Sequence, residues 1–222
     1  MQPDIYIGTL RISEPVVTLT GLGIALICGY AWHRLSLRRE AATTYRWMLR
    51  FFALMTVSSV LGPLLGHAFF YWAGFSGKYV CWIFSIFSLG ALAQAAIEHA
   101  QAFLAIRFYR GLTLLNLLCM SAAISLSGFT QSFVWVEAHS ALALLVFMLP
   151  LESLVYAKRR DPGSRLLLLS LPVAVLSLVP VVLKWSPGAW FSYFDVGHVI
   201  LYVFFWIMML GAEQMTDHPS AG

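Results

Sequence analysis

Asp195, His198 and Tyr202 stand at i, i+3 and i+7 in the run FDVGHVILY, so on a helix they line one face. A carboxylate and an imidazole one turn apart, joined by a histidine from another helix, suit Zn²⁺. Three protein ligands would leave a position at which bound water is activated. His67, in the run GPLLGHAFF, supplies that histidine, so the expected metal set is His67, Asp195 and His198. The same residues also suit a plain hydrogen-bonded Asp–His contact that locks two helices together. A haem between His67 and His198 would satisfy axial ligation, but the carboxylate one turn away favours a harder ion.

The elements that position these residues follow from composition. Of 222 residues, 60% are hydrophobic and 11% charged, a balance that bilayer solvent explains and a water-soluble core does not. Apolar runs at 15–32, 47–72, 79–104, 111–128, 132–157, 165–184 and 189–212 are each long enough to cross a bilayer. The expected fold is all-α, a single domain over 1–222 forming a polytopic bundle of seven transmembrane helices. Pro63, Pro150, Pro172 and Pro180 are placed to kink their spans. Met1 to Glu14 is too mixed for a cleavable signal peptide, and Cys28, Cys81 and Cys119, each inside an apolar run, read as small buried hydrophobes.

Charge sets the orientation. Arg34, Arg38, Arg39, Arg46, Arg50, Arg107, Arg110, Lys158, Arg159, Arg160 and Arg165 fall on one side of the spans, and only Arg11, Lys78 and Lys184 on the other. The positive-inside rule then puts the N-terminus outside and the C-terminus in the cytoplasm. The basic residues are orientation signals, and the net charge of +4 does not imply nucleic-acid binding. Trp72, Trp135, Trp185 and Trp190 suit the outer interface. Even spans run outward and odd spans inward, so His67, Asp195 and His198 share a depth in the outer half. Glu137 and His139 lie at that level too, as a possible outer-shell partner.

Gln94, Glu98 and Gln101 form a second polar line on span three, with Asn116 and Glu152 on the same inner side. An interhelical hydrogen-bond network accounts for it better than an ion path does. His99, about 100° around the helix from Glu98, does not join that line, and His33 and His218 fall in connections or tails. The lysines all sit at span ends, so a retinal Schiff base is excluded, and no Walker loop, GxSxG elbow or HExxH occurs.

Seven spans, His67 in GPLLGHAFF, and Asp195 with His198 in FDVGHVILY resemble the CREST superfamily, which includes alkaline ceramidases and the progestin and adipoQ receptors. They are also similar to bacterial seven-span proteins with a span-two histidine and a DxxH in the last span. The resemblance implies a zinc held by one histidine of span two and two of span seven, activating water to cleave a lipid amide. Here Tyr202 stands where the family has its second span-seven histidine, and Asp195 would replace it from the preceding turn. Pro63 stands where the family has a serine, with Ser58 and Ser59 deeper.

The expected function is a metal-dependent hydrolase of a lipid amide or ester, with Tyr202 donating to the developing oxyanion. The rivals are a transporter or proton-conducting protein, and a non-catalytic accessory subunit. Expected partners are membrane lipids and a membrane-protein partner or second copy of the chain. The expected location is a bacterial inner (plasma) membrane. Reporter fusions at both termini are expected to place the N-terminus outside and the C-terminus in the cytoplasm. Both tails in one compartment would remove a crossing and the shared depth of His67, Asp195 and His198 with it.

Overall fold

A computed structural model describes residues 2–38 and 42–216; Arg39 and His218 lie outside the described residues. A short antiparallel hairpin, β1 (Ile5–Ile7) and β2 (Leu10–Ile12), pairs Ile5 with Ile12 and precedes the helices. Among the described residues seven helices are long and apolar enough to cross a membrane. They are α1 (Pro15–Ser36), α2 (Thr43–Ala68), α3 (Phe70–His99), α4 (Ile106–Thr130), α5 (Val134–Arg159), α6 (Pro162–Leu183) and α7 (Tyr193–Gln214). The chain is an all-α integral membrane protein.

Local chemistry sets the helix ends. Pro15 opens α1, where the N–H it lacks would have had no partner within the helix. Asp161 caps α6, its side chain accepting from Ser164 N at 2.7 Å, with Pro162 next to it. Arg160 and Lys184 close α5 and α6 in the left-handed conformation at φ 56° and 50°.

The prolines act unequally. Pro63 is followed by a π-helical turn over Leu64–Ala68, and Leu142–Met148 is π-helical just ahead of Pro150. Pro172 and Pro180 sit inside an uninterrupted α6. The chain does break inside the connection expected at 73–78, where Gly74 leaves helical geometry at φ +58° and ψ −159° and kinks α3, but residues 75–78 are helical, and a further break falls at Phe69 between α2 and α3. Lys78 need not leave the helix, because its ammonium lies 5.5 Å from the Phe70 ring centre and 5.7 Å from that of Trp82.

The helix order in space is a ring. α2 packs on α1 and α3, α7 on α1 and α6, and the second half of α5 on α6, while α3 also receives α4 and α5. The main core holds Phe51, Phe52, Phe147, Met48, Met208 and Met209. Cys28 and Cys81 are buried and Cys119 half-buried, all as free thiols. Leu26, Phe129 and Val182 instead point outward, as lipid-facing apolar side chains do. At the arginine-rich end Arg34 pairs with Glu213, and Arg38 Nη1 donates to the Glu213 carbonyl at 2.6 Å, tying α1 to α7.

With no hydrophobic drive between helices in lipid, close approach depends on small residues. A Cβ on Gly163 would lie 2.6 Å from Met215 N and 2.7 Å from the Gly211 carbonyl oxygen. Both obstacles are backbone, so Gly163→Ala is expected to force α6 and α7 apart and lose about 1–3 kcal/mol. Gly111→Ala, with nothing within 4 Å of its new methyl group, is the control and should hold or gain stability. Thermal unfolding of the two variants in one detergent measures the contrast, and equal melting would refute the packing account.

Candidate functional site

The start of α1, the end of α2 and the start of α7 meet at the end of the bundle opposite the arginines. Asp195 is the junction. Ser192 is the N-cap of α7 and Asp195 its third residue, and together they form a capping box. Asp195 Oδ2 accepts from Ser192 N, Ser192 Oγ and Gln2 Nε2, each at 2.6 Å. Its Oδ1 accepts from Thr20 Oγ1 at 2.9 Å. The carboxylate is fully buried. Gln2 uses its other end as well, its Oε1 accepting from Val16 N at 3.1 Å and Val17 N at 3.2 Å, two of the open amides of α1.

Counting protons fixes the histidines. The Thr20 hydroxyl has one proton, and the nearer, charged Asp195 claims it over the Val17 carbonyl at 3.2 Å. Thr20 Oγ1, 3.0 Å from His198 Nδ1, must therefore accept from that nitrogen. His67 Nδ1 lies 2.6 Å from Glu14 Oε2. That hydrogen bond holds the Glu14 carboxyl below its ordinary range against the opposing effect of burial, so Glu14 is the acceptor and His67 Nδ1 the donor. In the neutral form of each imidazole the lone pair is then on Nε2, and no described residue bonds to either Nε2. The His67 ring lies 6.5 Å from that of Phe194, the residue before Asp195 on α7.

His67 owes its position to the π turn behind Pro63, and Pro63 is seated in a space that Gly21 leaves open: a Cβ there would stand 2.4 Å from Pro63 Cγ. Tyr202 donates its hydroxyl to the Thr20 carbonyl at 2.7 Å and packs its ring over Gly23. Its proton is therefore spent on α1 and does not face the histidines.

The expected metal set looks different in place. Among the described residues no group of three His, Cys, Asp or Glu side chains is gathered to hold an ion. Asp195 directs its oxygens at four protein donors, which leaves two nitrogens, His67 Nε2 and His198 Nε2, as the available ligands. Glu137 is exposed and His139 buried on α5, which packs on α3 and α4, so neither backs this site.

At the other end the polar line divides. Glu98 Oε1 accepts from Gln94 Nε2 and from Tyr109 OH, each at 3.0 Å, while Gln101 is exposed in a 3₁₀ turn. Glu152 does not belong to that group. It is fully buried, its Oε2 3.0 Å from His99 Nδ1 and accepting from Ser164 Oγ at 2.6 Å. His99, on another face from Glu98, finds its partner across α3 and α5.

Gln2, Glu14 and Thr20 were not singled out from the sequence. Gln2 and Thr20 carry no local signal, whereas Ser192-x-x-Asp195 ahead of an apolar run is the signature of a capping box. Residues 16–217 match the model of a family described as "Family of unknown function (DUF6962)", and the chain belongs to that family. No curated protein and no solved structure matches the chain.

Asp195→Asn would turn an NH₂ group toward donors, so it is expected to cost about 3 kcal/mol of stability. Tyr202→Phe gives up one hydrogen bond to a carbonyl and should cost about 1 kcal/mol or less. Denaturant unfolding in detergent compares them. Similar losses would mean that the carboxylate is not the tie between α1, α7 and the N-terminal segment.

Proposed function

We propose that this member of the DUF6962 family is a membrane hydrolase that cleaves a lipid amide or ester, with His67 and His198 as its working groups. What carries the reading is the pair of imidazoles that each present a bare Nε2 and are each oriented from behind, His67 by Glu14 and His198 by Thr20 and Asp195. A carboxylate on Nδ1–H fixes the tautomer and raises the basicity of Nε2, an arrangement that serves both a general base and a metal-bound histidine.

His67 and His198 would hold zinc through Nε2, and zinc would supply a lowered pKa for bound water and polarisation of a carbonyl. Asp195 then belongs behind the ligands, acting through Thr20. With no metal on that nitrogen, His67 Nε2 would instead be the general base, taking a proton from water as the water oxygen bonds to the carbonyl carbon. It returns the proton to the amine or alcohol as the C–N or C–O bond breaks. Tyr202 would serve the oxyanion only by giving up the Thr20 carbonyl. By the positive-inside rule the site would lie on the outer side of the membrane.

A second reading, a proton-conducting protein, draws on the buried His99–Glu152 pair, since an ionisable pair at membrane depth is a functional candidate by default.

The test uses full-length protein purified without chelator, its metal measured by mass spectrometry and its activity on long-chain acyl amides and esters in nanodiscs. His67→Ala and His198→Ala are each expected to remove most bound zinc and to lower hydrolysis by about a hundredfold or more. Asp195→Ala should lower metal affinity about ten- to a hundredfold, as loss of an orienting group does, and His139→Ala should leave both readouts unchanged. Hydrolysis that survives both histidine substitutions sinks the proposal. Proton flux in vesicles that vanishes in Glu152→Gln, without hydrolysis in the wild type, would transfer the assignment to the second reading.

A further inference from the structure

A cleft of about 540 Å³ opens between α2 and α4 with α3 as its floor, at the opposite end of the bundle from His67. α4 rests on α3 and α5 and leaves this gap against α2. Leu54, Phe87, Leu117 and Met120 make most of its wall apolar, and Trp47 stands at the end nearer the arginines. Phe87 and Leu117 are also exposed on the lipid-facing surface, so the cleft communicates with the acyl-chain region.

Its polar end is built from Gln94, Glu98, Tyr109, Thr113 and Asn116. Asn116 is 2% exposed, and its amide NH₂ donates to the Gly90 carbonyl at 2.9 Å. The opposite amide orientation would set oxygen against oxygen, so the orientation is fixed. Asn116 Oδ1 then lies buried with no hydrogen-bond partner. A native protein rarely leaves such an atom unmet without a ligand or water to meet it.

Glu98 is half-buried and keeps one carboxylate oxygen open. Both of its donors, Gln94 and Tyr109, go to Oε1 and none to Oε2. No Lys or Arg lies within ion-pair distance of it among the described residues. Gln94 bridges the two, donating to Glu98 and receiving Asn116 Nδ2 at 3.5 Å. The unmet groups are therefore acceptors, one of them a carboxylate, at one end of an apolar trough.

We propose that this cleft binds an amphiphile with a primary ammonium head and a long apolar tail. An ammonium brings three N–H donors and the opposite charge, and so satisfies Glu98 Oε2 and Asn116 Oδ1 together. A hydroxyl head meets only one acceptor, and an anionic head is repelled by Glu98. The tail lies along Leu54, Phe87 and Leu117. Two sources carry this head, the bulk lipid phosphatidylethanolamine and a free long-chain amine.

The experiment uses the full chain in phosphatidylcholine nanodiscs and a long-chain primary alkylamine with a diazirine on its tail. Photolabel is expected on α2, α3 and α4 around Leu54, Phe87 and Leu117, displaced by unlabelled alkylamine and not by its N-acetyl derivative. Glu98→Gln should weaken labelling about tenfold or more, the loss of one charge-assisted hydrogen bond, and Asn116→Leu about threefold or more. His67→Ala should leave it unchanged. Discs containing phosphatidylethanolamine separate the sources: suppressed labelling identifies the bulk lipid, and undiminished labelling a free amine. Equal displacement by the N-acetyl compound in the wild type would overturn the proposal without reference to any variant. So would monodisperse Glu98→Gln protein that labels like the wild type, or label scattered over the lipid-facing surface.

Discussion

A carboxylate buried away from the surface is the constraint around which one end of this molecule is organised. Asp195 is fully buried at the start of a membrane helix, where an ionised group with no partner would cost several kcal/mol. Four donors from three parts of the chain remove that cost: two from Ser192, one from Gln2 and one from Thr20. Satisfying the charge therefore requires the N-terminal segment, α1 and α7 to be in register. Thr20 then has only its lone pairs left for His198, so the imidazole's tautomer follows from the same carboxylate.

The opposite end solves the same problem with different groups. Glu152 is buried beside His99 and Ser164, and Asp161, which caps α6, also accepts from Thr216 N at 3.0 Å. These contacts tie α3, α5, α6 and the segment after α7 together. The Glu98 group between α3 and α4 is the exception, since its hydrogen-bonding capacity is left partly unused next to open space. That contrast separates polar groups that serve packing from those that have capacity left for a ligand.

Between the two ends, packing relies on the absence of side chains. Gly163 against Gly211, Gly21 against Pro63 and Gly23 against Tyr202 are places where backbone or a bulky ring occupies the volume a methyl group would fill. In lipid such contacts count for more than apolar burial, because the solvent is as apolar as the side chains it would release. The Gly21–Pro63 contact also seats the π turn that carries His67, so helix packing and the position of a functional side chain share one cause.

Helix number, the helix ends apart from the start of α3, which falls at Phe70 and not at the expected 79, and the common depth of His67, Asp195 and His198 were legible in the sequence. Each follows from local hydropathy and from the alternation that crossing a membrane imposes. The break at Phe69 was not, and the connection expected at 73–78 shrinks to a kink at Gly74, because Lys78 can lay its stem along neighbouring rings while residues 75–78 stay helical. Nor was the role of Asp195. Spacing alone cannot tell a ligand from an N-cap partner, and the deciding donors, Gln2 and Thr20, lie more than 170 positions away. His99 and Glu152 show the same limit across 53 residues. A one-dimensional pattern states which face of a helix is polar, because that is set by the turn angle of one segment. Which polar groups meet is set by how segments rotate and tilt against one another, and only the folded bundle determines that.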